Sequence, residues 1–159
     1  MATIDQLQPG YGSNGPQSVE YKAGKVLVSN GFLNQEQLDQ AHKISTESDE
    51  SLLDTMVSED MVAQETIETV LNIMLRIPAV NLKKERINPL VVDLVPEEYV
   101  REHMAVPLGS DINNYLRVAT RSYNDSQLLS DLESMTGLDV RLYYPIGRKI
   151  EDFIDENYG

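Results

Sequence analysis

Few side chains in this sequence are spaced for chemistry. The histidines, His42 and His103, stand 61 positions apart, with no second imidazole one helical turn away to complete a metal site. A phosphate-cradling loop needs a glycine, four intervening residues, then Gly-Lys and Ser or Thr. Gly24-Lys25 is the Gly-Lys pair of the chain, but Val19 holds the earlier glycine position and Val26 follows the lysine. Carboxylate pairs such as Glu97-Glu98 or Asp152 with Asp155 are what chance supplies in a chain with 26 acidic residues. Without cysteine there is no thiol nucleophile, thiolate zinc site or disulfide scaffold. His42 and His103 therefore read as packed or helix-terminal residues, and the sequence gives no support for catalysis, a metal or a cofactor.

The wider composition narrows the field in the same direction. Across 159 residues the net charge is -13 and 41% of side chains are apolar, enough for one domain or two small ones. That charge argues against the basic footprint of a nucleic-acid binder and against a polybasic membrane patch. No apolar run approaches the ~20 residues of a membrane helix, and the N-terminus lacks a basic-then-apolar leader pattern. The expectation is a soluble, acidic, cytoplasmic protein.

Residues 1–21, rich in Gly, Pro, Ser, Asn and Gln, read as a flexible N-terminal arm, with a docking peptide as the functional alternative. Helices must then position whatever Lys22, Gly24 and His42 do. Ala23, Val26 and Leu27 share a face that stops at Asn30-Gly31, a left-handed terminator. Asn34 with Gln37 forms a capping-box pattern ahead of a helix carrying Leu38, Ala41 and His42, and Ser45–Glu50 reads as a polar turn. The layout then recurs: Leu52, Leu53, Met56 and Val57, a break at Glu59-Asp60, and a helix with Ile67, Val70, Leu71 and Met74. Lys22–Ser45 overlays Ser51–Met74, pairing Leu27 with Met56, Gly31 with Asp60, Phe32-Leu33 with Met61-Val62 and Leu38 with Ile67. Residues 22–76 are thus expected to be a helical subdomain of two hairpins, four short helices in all. The exposed residues of the second hairpin, Met56, Met61 and Met74 among them, are partner-contact candidates, with core as the alternative for each.

From position 77 to 159 the texture is α+β. Ile77–Leu82 is an extended segment, and Asn88–Leu94 and Pro96–His103 read as short helices. Met104–Leu108 and Tyr115–Thr120 read as a hairpin of strands, Ser126–Met135 as a helix ending at Gly137. Leu138–Tyr144 alternates like a half-buried strand, and Gly147–Tyr158 is a closing helix with Ile150, Phe153 and Ile154 on one face.

Taken in order, the twin 24-residue units, IPAVNL, INPLVVDLVPEEYVREHMAVPLG, LRVAT, LESMTGLDVRLYYP and IEDFIDENYG resemble the N-terminal domain of the type II secretion and type IV pilus assembly ATPases. The resemblance implies a domain that sits in the cytoplasm ahead of a hexameric ATPase and docks on the cytoplasmic part of an inner-membrane platform protein. In one branch of that family the paired units bind cyclic di-GMP, each opening with Arg-Leu-Gly and carrying later Gly, Leu and Gln positions. Arginine forks stack on guanine and meet phosphate charge, and glycines admit close backbone approach. On that pattern the site candidates are Lys22, Ala23, Gly24, Gly31, Leu38, His42 and Leu52. Yet Lys22 and Ser51 replace both arginines, Ser45 and Met74 replace both glutamines, Ala23 and His42 replace leucines, and Leu53 and Asp60 replace glycines of the second unit. A lysine offers phosphate a point charge but no planar fork, and a dianion would face residues 22–76 at a net charge of -6. The expectation is a non-catalytic interaction or regulatory domain that no longer takes cyclic di-GMP. Its partners would be a platform, motor or regulatory protein. A cyclic-nucleotide receptor with a pocket remodelled around Lys22, His42 and Gly24 is the alternative. Because the family's ATPase part would begin about where these residues end, ATP hydrolysis is not expected of them, whether they form an excised domain or a free-standing relative.

Overall fold

The computed structural model describes residues 18–158, arranged in two units, Met1–Arg76 and Ile77–Gly159. Positions 1–17 of the expected arm lie outside the described residues. Its last four positions do not behave as an arm. Ser18 accepts the Tyr21 N–H on its hydroxyl at 3.0 Å, and helix α1 (Val19–Ser29) starts there, one turn before Lys22. Three polar residues ahead of Tyr21 hid a serine N-cap.

Within the first unit, α1 buries Ala23, Gly24 and Leu27 and stops where Gly31 takes φ +81°. That left-handed residue turns the chain so that the Phe32 N–H donates back to the Leu27 carbonyl at 2.9 Å. Helix α2 (Gln35–Ser48) opens on the expected capping box, with Asn34 and Gln37 each accepting the other's backbone N–H at 2.8 and 3.0 Å. It runs three residues beyond the polar turn expected at Ser45. The hydroxyls of Ser45, Thr46 and Ser48 donate to carbonyls one turn back, at 2.7–2.9 Å, so these polar residues satisfy themselves inside the helix. The stop is Asp49, left-handed at φ 55°.

Helix α3 (Leu52–Ser58) is capped by Ser51, which accepts the Asp54 N–H at 3.1 Å. The following turn repeats the first one bond for bond: Met61 N–H donates to the Met56 carbonyl at 2.9 Å, and Asp60 takes φ 58° where Gly31 took its positive angle. Helix α4 (Gln64–Thr69) then widens through Val70–Met74, closing with a Leu75 N–H bond to the Val70 carbonyl five residues back at 2.9 Å. Leu27, Leu38, Leu52, Leu53, Met56, Ile67 and Leu71 make the core, each at most 1% exposed.

The second unit is α+β. Its four strands, β1 (Ala79–Asn81), β2 (Val106–Ser110), β3 (Leu116–Ala119) and β4 (Val140–Ile146), form a mixed sheet in the order β1-β4-β3-β2. β4 runs parallel to both neighbours, and β2 pairs antiparallel to β3 with a bulge between Pro107 and Gly109. Helices α5 (Glu97–His103), α6 (Ser126–Thr136) and α7 (Ile150–Tyr158) complete it around Leu108, Leu116, Val118, Leu132, Phe153 and Ile154. Asn88–Leu94 is not the expected helix. Its backbone bonds, Val91 to Asn88 and Leu94 to Val91, span three residues, and the Asn88 side chain accepts the Leu90 N–H at 2.9 Å. An Asx turn thus holds the segment where helix would have required the N–H that Pro89 lacks. β4 also ends two residues later than the alternation suggested, because β1 pairs with Tyr144, Pro145 and Ile146 after β3 has ended.

Candidate functional site

The candidate residues of the first hairpin fall into two groups. Ala23, Leu38 and Leu52 are at most 1% exposed, and Gly24 is buried with them. A methyl group built on Gly24 would meet Leu38 Cδ1 at 2.6 Å and Met56 Cε at 3.2 Å. Gly24 therefore admits the side chains of α2 and α3, and its missing side chain is a packing feature. Gly31 has no heavy atom within 4 Å of such a methyl group, and its role is the left-handed turn. Lys22 is exposed on α1. His42 is half-buried on α2, its ring edge-on to Tyr21 with 5.8 Å between centroids. Lys22 and His42 are thus the two side chains of the set that solvent can reach.

The start of the second hairpin is closed by a residue the sequence reading left in the arm. Glu20, 1% exposed, accepts the Leu53 N–H on Oε1 at 3.0 Å, while Ser51 accepts the Asp54 N–H at 3.1 Å. Two of the N–H groups that any helix leaves without an intrahelical partner are so satisfied, one by a carboxylate 33 residues away. No local signal could have revealed Glu20, because its partner is distant in sequence. Of the methionine contact candidates, Met56 is 0% exposed and is core, Met61 is half-buried and Met74 is 45% exposed. Phe32 and Ile73, at 54% and 68%, are the further large apolar side chains that this unit leaves exposed.

In the second unit, charged groups act as fasteners. Glu85 accepts both Arg117 amines at 3.0 and 3.1 Å, a half-buried fork that raises the guanidinium pKa and pins the loop after β1 to β3. Arg101 bridges Glu97 at 2.8 Å and Asp155 at 2.7 Å, joining α5 to α7. His103 lies in the last turn of α5, stacked on Tyr99 at 4.1 Å. The Tyr99 hydroxyl is buried without a hydrogen-bond partner, and its pKa is raised by burial and by Asp131 and Asp125. The Tyr158 hydroxyl is likewise buried, and burial with Glu97 and Asp93 nearby pushes it up to about 12. Among the described residues no group of three or more acidic or histidine side chains is placed to hold a metal, and no helix is long and apolar enough to cross a membrane.

Comparison with known proteins places this geometry. The MshEN domain family model matches residues 75–159, the half that carries LVPEEYVREHMAVPL and TGLDV. The type IV pilus assembly ATPase PilB of Thermus thermophilus is 30% identical over 123 residues, which cover 77% of this chain and 14% of that protein. The type IV pilus assembly ATPase PilB of Myxococcus xanthus is 23% identical over 137 residues, covering 86% of this chain and 24% of that one. The chain thus spans no more than 24% of the length of either curated relative. The solved structure of MshE with cdg is similar in fold, with a TM-score of 0.52 and 23% identity, covering 86% of this chain and 98% of that one.

Proposed function

The chain belongs to the MshEN domain family, and on that premise we propose that it is a non-catalytic docking or regulatory module of a secretion or pilus motor. Its homology is to the N-terminal regions of the pilus ATPases. We propose further that its work is protein contact in the cytoplasm, on a motor, a regulatory protein or the cytoplasmic part of an inner-membrane platform protein, and that cyclic di-GMP is not its ligand.

The observation that carries the second part is the position of Glu20. A buried carboxylate already answers the N–H of Leu53 at the start of the second unit, beside a serine where the resembled pattern has arginine. The second unit, Ser51–Met74, holds five acidic residues and no Lys or Arg. A dianionic ligand would meet like charge there with no guanidinium to offset it. Gly24, the glycine retained from the pattern, faces Leu38 and Met56.

Titration calorimetry of the chain with cyclic di-GMP tests this. No saturable heat at tens of micromolar ligand is expected. A low-micromolar Kd that Lys22→Ala abolishes would overturn it and favour the remodelled-pocket receptor. The docking part is tested by affinity capture from cytoplasm and inner membrane, with recovery of a motor, platform or regulatory protein of a secretion or pilus system expected.

A further inference from the structure

We infer that the first half of β4 is an open sheet edge built to receive one extended, basic–aliphatic segment of a partner protein. In parallel strands, alternate residues direct their N–H and C=O to alternate neighbours. On the β3 side, Leu116 N–H donates to the Asp139 carbonyl and Thr120 N–H to the Tyr143 carbonyl, at 2.8 and 2.9 Å. On the β1 side, Tyr144 N–H donates to the Pro78 carbonyl at 2.7 Å. Val140 and Leu142 share the parity of Tyr144, so their backbone groups also point to the β1 side. β1 does not reach them. It pairs with Tyr144–Ile146 alone, whereas β3 pairs with Val140–Tyr143. Pro78, which would stand next in β1, has no N–H to give the Leu142 carbonyl.

One of the edge groups is answered from within: the Val140 N–H donates to Glu133 Oε2 at 3.1 Å. The Val140 carbonyl and both backbone groups of Leu142 face a notch of about 260 Å³, walled by Tyr123, Asp125, Ser126 and Leu129 as well as by Val140 and Leu142. That volume falls below the roughly 300–1,000 Å³ of pockets that enclose a small molecule. It suits a single aliphatic side chain of an added strand, whose backbone would continue the ladder.

Charge selects the occupant. Residues 122–140, which supply one wall and the edge's beginning, contain Asp125, Asp131, Glu133 and Asp139 and no Lys or Arg. Arg141, at the floor, is held over the Tyr115 ring at 4.3 Å from its centroid. A strand with lysine or arginine on either side of its aliphatic anchor is therefore favoured over an acidic one.

The inference deepens the docking reading and rests on it. The test uses the 159-residue chain, amide exchange by NMR, and three capped peptides, KIKIK, its charge inverse EIEIE, and the strand-breaking KIPIK. In the free chain the Leu142 amide should exchange at least about tenfold faster than that of Tyr143, which the β3 ladder holds. With KIKIK at ten times its Kd, Leu142 exchange should slow by about tenfold, the factor expected of a site that must empty before it opens. EIEIE and KIPIK should leave it unchanged, and Leu129→Lys should abolish the response to KIKIK. A Leu142 amide already as protected as Tyr143, or equal responses to all three peptides, would overturn the proposal. Peptide protection in a chain that captures no motor or platform protein would keep the edge and remove the docking reading. Capture without protection would do the reverse.

Discussion

The two hairpins of the helical unit share a backbone plan and differ in how they are finished. Both turn through a left-handed residue, Gly31 or Asp60, and both close with an N–H donated back to the end of the preceding helix. The first hairpin has the longer helices, of 11 and 14 residues, and starts the second of these with a full capping box. Helices of seven and six residues make up the second hairpin, and Ala63 stands at the cap position of α4 without a side-chain bond. Lys22–Ser45 carries three lysines against two acidic residues, while Ser51–Met74 carries none against five. The comparison teaches that backbone turns and core positions hold a hairpin together while its caps and surface charge drift. The weaker hairpin then depends on the stronger, through Glu20.

That dependence is where the comparison breaks most visibly. Glu20→Ala removes a charged acceptor and leaves the Leu53 N–H buried, so a loss of about 1–3 kcal/mol in urea unfolding is expected. Glu20→Gln, which keeps a carbonyl oxygen, should lose less. Amide exchange should rise first in α3 and α4, and an even rise across both hairpins would contradict the one-way support. A smaller effect should come from exchanging the caps. Asn34→Ala is expected to lose about 1 kcal/mol, and Ala63→Asn to gain up to a similar amount, as α4 acquires the acceptor that α2 already has.

The smallest effect isolates the other unit. Tyr158 ionises near 10 in an unfolded chain and at about 12 in the folded one. Between those values the unfolded state loses a proton that the folded state retains. The stabilisation is thus full below pH 10 and lost as pH rises toward 12. Tyr158→Phe should leave the neutral-pH melting temperature almost unchanged, since the hydroxyl has no partner. The variant should flatten the decline above pH 10, with both hairpins unaffected.

Local features were the legible ones. The Asn34–Gln37 capping box, the stops at Gly31 and Gly137 and the apolar faces of α6 and α7 rest on residues within a few positions of one another, and sequence spacing reports such pairs directly. The α+β class and the four strands followed from periodicity. The errors arose where a distant partner or a side chain decided the matter. Asn88 diverted a helix into an Asx turn, hydroxyl back-bonding carried α2 through Ser45–Ser48, and Ser18 began α1 inside an apparent arm. At the candidate site, motif matching located Gly24, Leu38 and Leu52 but could not distinguish a ligand contact from a neighbouring helix. Only the approach of Leu38 and Met56 to Gly24 separates the two. Register between β1, β3 and β4 is set across more than 60 residues of sequence for one pair, so the half-open strand had no signature to read.

The reach of Glu20 also governs how this protein can be cut. A fragment begun at Lys22, where the repeat pattern itself starts, would discard the Ser18 cap, the opening turn of α1 and the one carboxylate that answers Leu53. The lesion would surface thirty residues downstream of the scissors, in a hairpin whose own sequence had been left whole.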